Sequence, residues 1–309
     1  LRVSKAFSPA GISSFFEICD TLSDGNPITD LERVGARGGG FGIQKGVTTE
    51  VNVLEAGKNG IRVFINGRDA PEAETTKTVV EILLEKTSKK YSVVVKHLVE
   101  VPIGAGFGSS AAGALTTALA LSKALDLNLT YNQLGKIAHV AEVKCKTGLG
   151  TVGPLMLGGC IITIEPGAPG IALIDRIPIS TDYVIVAGVF GSIPTREVLS
   201  SPEKRLAVNK WGRKTLEKIL EEPSLENFLA CCREFAEKTG FMTERVRTLM
   251  RHAEKAGAIG AAQNMVGEAV HALTTSENAE KVAQAFKCVL PPEKVLMANV
   301  EVQGARLLG

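Results

Sequence analysis

The chain is 309 residues long and 45% hydrophobic, enough to bury a sizeable core as two domains or one large one. Its 35 basic and 33 acidic side chains nearly cancel, and no lysine- or arginine-dense block carries interleaved aromatics, so the polyelectrolyte attraction behind nucleic-acid binding has no source. No apolar run is long enough for a bilayer, and the cysteines at 19, 145, 160, 231, 232 and 288 form no C-x-x-C pair and no zinc spacing; reduced packing thiols, a cytoplasmic chain and a small-molecule partner are expected.

The first stretch, LRVSKAFSPAGISSFFEICD, has no basic region followed by a long apolar run, so no secretory leader is expected, and the initial Leu1 implies a preceding initiator methionine. Residues 1–46 end in VGARGGGFGIQKG, whose Gly38 to Gly40 and Gly42 leave bare backbone to line a ligand or turn a corner. VTTEVNVLE (47–55) and IRVFING (61–67) flank Gly57-Lys58-Asn59-Gly60 and read as a β-hairpin. Helical spacing over 72–88 is followed by a strand over 91–101.

Val101 to Leu115, VPIGAGFGSSAAGAL, is the stretch around which the rest is organised. Small residues entering a helix, expected from Ser109 to Leu125, leave the N–H groups of its first turn uncovered, with the helix dipole behind them. That combination cradles a phosphate; the plainer reading is a tight strand-to-helix turn. Thr130 then caps a helix in which Leu134, Ile137, Ala138 and Ala141 form one apolar stripe, with Glu142 at its margin and His139 one turn earlier.

TGLGTVGPLMLGG is a second glycine-rich loop, running into a strand near 160–165, and DYVIVAGVF (182–190) is a further strand. Segments 203–221, 224–239 and 242–256 are helical in pattern. The stretch 255–273 reads as small residues leading into a helix, 278–288 as another helix, and 295–308 as a closing strand.

Three nucleotide-loop patterns compete for residues 101–115. A Walker A loop needs a lysine after its glycines, and none is present. Gly104, Gly106 and Gly108 have the wrong spacing for a dinucleotide fingerprint, and Asp126 falls at a helix end. Pro102, Gly106, Phe107, Gly108, Ser109, Ser110 and Ala111 instead match P-x-x-x-G-[LF]-G-S-S-A, and on this the chain resembles the galactokinase, homoserine, mevalonate and phosphomevalonate (GHMP) kinase superfamily. Within it, SPAGISSFFE, GARGGGFG, AHVAEV, TGLG, GSIPTREVL and GAIGAAQNMVGEAVHAL resemble the archaeal pantoate kinases along residues 8–273.

The resemblance implies an α+β GHMP kinase fold: a ribosomal protein S5 domain 2-like N-terminal domain over 1–175 and a ferredoxin-like C-terminal domain over 176–309. It implies ATP and Mg²⁺, with the triphosphate on Pro102, Gly104, Ala105, Gly106, Phe107, Gly108, Ser109, Ser110 and Ala111 and the base toward 45–66. Ser110 and Glu142 become the catalytic pair and the metal ligands, which suits an ion that prefers oxygen and takes few protein groups beside phosphates. His139, Thr195 and Arg37 are expected to hold a small hydroxy acid, pantoate, with Arg196, Ser13, Ser14 and Thr147 as further donors. No nucleic acid and no membrane enter the expectation, and a homodimer is left open. Two departures stand out: Gly11 replaces a motif lysine, and Gly150 or Thr151 replaces an aspartate. They keep open a kinase for another hydroxy acid and a nucleotide-binding regulator without catalysis.

Overall fold

Two long antiparallel strands, β1 (Arg2–Cys19) and β2 (Gly35–Glu55), each serve two hydrophobic cores. Their ladder slips where Pro9 pairs with Gly46 but Ala10 pairs with Ile43, leaving Gln44 and Lys45 as an excursion. Such a bulge bends and twists a strand pair. On one side of it Ala6, Val47, Val51 and Val53 enter a core with the helices of the first half. On the other, Ala10, Ile12, Phe15, Ile18, Phe41 and Ile43 pack against residues of the second half, including Phe228 and Phe235. The structure is a computed structural model and describes residues 1–192 and 201–309.

The first sheet has the order β12-β1-β2-β5-β3-β4, with β6 and β7 continuing from the early part of β2. Its remaining strands are β3 (Gly60–Ile65), β4 (Arg68–Asp69), β5 (Tyr91–Val99), β6 (Cys160–Glu165), β7 (Leu173–Ile177) and β12 (Arg306–Leu308). Helices α1 (Glu74–Leu84), α2 (Ser109–Leu125), α3 (Tyr131–Cys145) and α4 (Val152–Leu157) belong to this half. In α2 only Ser109, Ser110 and Lys123 escape burial. A helix covered on all sides must be built from side chains small enough for close approach, which is why it reads SSAAGALTTALALSKAL.

The second sheet is antiparallel, ordered β11-β8-β10-β9, from β8 (Tyr183–Ser192), β9 (Gly260–Gln263), β10 (Gly267–Thr275) and β11 (Val295–Asn299). In chain order this is 4-1-3-2, the ferredoxin-like arrangement. Helices α5 (Pro202–Glu221), α6 (Leu225–Lys238), α7 (Glu244–Lys255) and α8 (Ser276–Lys287) accompany it. Ile185, Ala187 and Val189 face the core shared with β1, whereas Val184 and Val186 face α7 and α8. Burial on both faces turns β8 into a continuous apolar run. No described helix is long and apolar enough to cross a membrane.

The expected fold class holds, and several local readings change. Residues 47–55 and 61–67 do not pair as a hairpin. β5 lies between them, antiparallel to β2 and parallel to β3. The intervening turn is tied to β5: Asn59 Oδ1 accepts the Tyr91 N–H at 3.0 Å and the Ala56 N–H donates to the Lys90 carbonyl at 2.9 Å. The stretch 255–273 leads into strands β9 and β10, because Ala269, Val270, Ala272 and Leu273 are fully buried on both faces and such a run carries no period to separate strand from helix. The closing segment divides, β11 joining the second sheet and β12 returning to β1. The strand character of residues 2–19 and the short helix α4 went unread among the glycines.

Candidate active site

The loop after β5 alternates by conformation. Gly104, Gly106 and Gly108 have φ of 77°, 78° and 61°, while Ala105 and Phe107 between them are buried. The two side chains anchor the loop inward, and the glycines supply the left-handed turns that a Cβ would strain. Gly108 is the N-cap of α2, so no side chain caps this terminus. By contrast Thr130, Ser201, Ser224 and Thr243 each cap their helices with an oxygen. The first amides of α2 are thereby left to a ligand, and Ser110 lies exposed among them.

Glu142 reaches this terminus from α3, a helix started by a capping box between Thr130 and Gln133. Its Oε1 accepts the Ser110 hydroxyl at 2.5 Å and the Thr147 hydroxyl at 2.6 Å. Thr147 gets there because α3 ends on Lys146 at φ 57°, which folds the chain back so that the Thr147 N–H meets the Glu142 carbonyl at 3.0 Å. Thr75 of α1 hydrogen-bonds Thr147 in turn, at 3.0 Å. A Cβ on Gly148 would run into Glu142 Oε2, so glycine there makes room for the carboxylate. Glu142 is only 3% exposed. Burial pushes its carboxyl above the ordinary value, and the bonds from Ser110 and Thr147 offset part of that rise.

Strand β1 and α4 pack beneath the loop. The Gly11 N–H donates to the Phe107 carbonyl at 3.0 Å, and a Cβ on Gly11 would lie 2.8 Å from Leu155 Cδ2. A lysine therefore does not fit at this position without displacing Leu155. Thr151 packs on the loop as well, its Cγ2 2.8 Å from where a Gly108 Cβ would be, while Gly150 packs on Ala36. Of the two residues weighed for the aspartate position, Thr151 is the one beside the loop. From the second sheet, the turn between β9 and β10 completes the support: Asn264 and Met265 press on Gly106, and Gly267 on Ala105.

The residues expected to hold an acid are dispersed. His139 is buried, and its Nε2 meets the Val34 carbonyl at 2.8 Å, so the ring faces the start of β2 rather than the loop. Arg37 donates to the Ile164 carbonyl at 3.0 Å, to Glu17 Oε2 at 3.3 Å and to Glu165 Oε2 at 3.1 Å. Arg213 of α5 takes the other oxygen of Glu17 at 2.7 Å. Ser14 is buried toward the second sheet, and the Ser13 carbonyl accepts the Met265 N–H at 2.7 Å. Thr195 and Arg196 lie outside the described residues. Thr147 was legible only as a donor in a loop; its place five residues after Glu142, just past the helix end, was the available signal.

A cradle of amides for phosphates, beside a paired hydroxyl and carboxylate, is the equipment of phosphoryl transfer. Residues 74–159 match the family model described as GHMP kinases N terminal domain. A pantoate kinase of Thermococcus kodakarensis is 36% identical over 91% of this chain and 90% of its own length. One of Methanocaldococcus jannaschii is 29% identical over 91% of this chain and 96% of its own. A solved structure described as a phosphotransferase related to the CoA biosynthesis pathway superposes with a TM-score of 0.87 at 32% identity, covering 99% of this chain and 98% of that one.

The molecule is thus a GHMP kinase, an enzyme that moves a phosphoryl group onto a hydroxyl of a small molecule. Within that class the chain belongs to the pantoate kinase family.

Proposed function

We propose that the protein catalyses ATP + D-pantoate → ADP + 4-phosphopantoate. What carries the reading is the Ser110–Glu142 pair at the mouth of the glycine loop, in a chain matched along nearly its whole length by pantoate kinases. The pantoate hydroxyl oxygen bonds to the γ-phosphorus, the bridging bond to the β-phosphate breaks, and ADP leaves. The hydroxyl proton passes to water, since Thr151 has no basic atom where an aspartate was expected. Phosphoryl transfer tolerates this because its loose transition state depends mainly on alignment and charge neutralisation.

The amides from Gly106 to Ser110 bind the phosphates of ATP. Glu142 is a buried carboxylate that accepts two hydroxyls and has no lysine or arginine partner among the described residues. With Ser110 it offers hard oxygen donors suited to Mg²⁺, and no described cluster of three or more His, Cys, Asp or Glu competes for a metal. When bound, Mg²⁺ supplies neutralisation of the triphosphate charge. Arg37, braced by Glu17 and Glu165, is our assignment for the pantoate carboxylate. Thr195, a candidate hydroxyl donor to the acid by its chemistry, lies outside the described residues, and His139 acts by holding the Val34 end of the segment that leads to Arg37.

ADP release measured with pantoate, homoserine and mevalonate at fixed Mg-ATP tests the assignment. Turnover with pantoate well above the other two is expected. Background rates with pantoate beside turnover of another acid would replace the acceptor, and background rates with every acid beside measurable ATP binding would favour a regulator.

A further inference from the structure

Beneath the glycine loop three fully buried side chains form one hydrogen-bonded chain between the two sheets. Ser14 of β1 meets His271 Nε2 of β10 at 3.0 Å, and His271 Nδ1 meets Asn264 Oδ1 at 2.9 Å. An amide oxygen only accepts, so Nδ1 carries the ring hydrogen and Nε2 is left to accept from the Ser14 hydroxyl. The imidazole is neutral, its pKa pushed down to about 3 by burial, and the ring of Phe41 flanks it 5.9 Å away. The ring hydrogen therefore has a defined place, and the Asn264 amide has one orientation.

The far end of that amide is unsatisfied. Asn264 Nδ2 is buried with no hydrogen-bond partner, whereas native interiors pair nearly all such groups. The same residue packs on the loop: its Cβ lies 3.1 Å from where a Gly106 Cβ would be. Its backbone is pinned as well, through Asn264 N–H to the Ala269 carbonyl at 2.9 Å and Met265 N–H to the Ser13 carbonyl at 2.7 Å. The unpaired polar atom of this three-residue chain thus belongs to the residue whose Cβ packs on the segment that grips phosphate.

We propose that Asn264 is a positioning residue for the glycine loop, held in orientation by Ser14 and His271, so that the second sheet sets how tightly the loop grips the nucleotide. This rests on reading the loop as the ATP cradle. None of the three side chains contacts a reacting atom; their effect passes through Gly106. Ser14, weighed from sequence as a donor to the acid, takes a different part, buried and bonded to His271 of the second sheet.

The test uses the full chain, with steady-state kinetics and calorimetric binding of Mg-ADP for the parent, Ser14→Ala, Asn264→Ala and the double variant. Each single variant is expected to raise KM for ATP about tenfold, the scale of one buried hydrogen bond, with KM for the acid within about twofold. The double variant should be no worse than the more damaging single one, because both cut the same chain. If Asn264→Ala does not fold, Ser14→Ala, which removes one oxygen, carries the measurement alone. An unchanged KM for ATP overturns the proposal, as do additive losses, or losses in both KM values that track the melting temperature. A parent chain that binds no Mg-ADP overturns the reading of the loop itself.

Discussion

The Ser110 hydroxyl, in the first turn of α2, donates to Glu142 Oε1 on α3 at 2.5 Å, and with it the phosphate cradle and the one buried carboxylate of α3 become a single site. Removing either oxygen removes half of the donor set. Ser110→Ala and Glu142→Gln are each expected to lower kcat on the order of a hundredfold or more, at an unchanged far-ultraviolet spectrum. ADP release at saturating substrates is the measurement, and full turnover in both variants would remove the assignment.

The same carboxylate costs stability when nothing compensates it. Its folded pKa lies above the unfolded value, so its contribution is fully present below the unfolded value and is lost as pH rises through the folded one. Glu142→Gln should therefore melt higher than the parent at pH 8 without metal, and the gap should close below about pH 4. Thermal unfolding at the two pH values decides it; equal melting temperatures at pH 8 would mean that the carboxylate is not uncompensated.

Gly148 is the empty side of Glu142. Gly148→Ala puts a methyl group on Oε2, which displaces the carboxylate while leaving its chemistry intact. Losses of the kind seen when a ligand's supporting shell is disturbed, about 10- to 100-fold in metal affinity, are expected. A titration of activity with Mg²⁺ at fixed ATP reads them, and wild-type half-saturation would contradict the packing described.

Gly108→Ala combines two penalties. The left-handed N-cap costs a residue with a Cβ about 1 kcal/mol, and the new methyl group would lie 2.8 Å from Thr151 Cγ2. Thr151→Ser removes Cγ2, so the double variant should recover the steric part of the lost stability but not the backbone part. Denaturant midpoints of the three proteins separate the parts; no recovery would place the clash elsewhere.

His97 gives a pH dependence of opposite sign. It is buried, with Nδ1 on the Thr49 hydroxyl at 2.7 Å and Nε2 on the Thr76 hydroxyl at 3.0 Å, and burial pushes its pKa down to about 4. The unfolded chain binds this proton more readily, so stability is complete above about pH 6.5 and is lost as pH falls toward 4, on the order of 3 kcal/mol in all. His97→Gln should flatten the dependence by about one proton. An unaltered slope between pH 6.5 and 4 would assign the loss to other groups.

The phosphate loop and α2 were legible because two signals agree there: small residues where the backbone must be bare, and helix formers from Ser109 to Leu125, the span observed. Glu142 followed from the family resemblance, the stripe on α3 placing it only at the margin of the buried face. What makes Glu142 usable was harder to read, since Thr147, Gly148 and Thr75 converge on it through a helix-end reversal and a neighbouring helix. β9 and β10 were misread because a strand buried on both faces shows no alternation. β5 was placed correctly, yet its insertion between β2 and β3 is a long-range pairing that the local glycine turn at 57–60 does not encode. Gly11 was seen as a missing lysine, whereas its surroundings show a position closed by Leu155.

Lys5 of β1 pairs with Leu308 of β12, and Gly106 rests on Asn264 and Met265. On the ribosome, the glycine loop and the helix behind it emerge long before either brace exists. Domains usually fold as they emerge, and contacts this distant in sequence form slowly. The nucleotide loop is therefore synthesised well before the segments that brace it and is among the last parts to be finished. In the interval an incomplete sheet edge along β1 is open to other chains, which makes the late arrival of β12 a protection of the nascent protein as well as a detail of its topology.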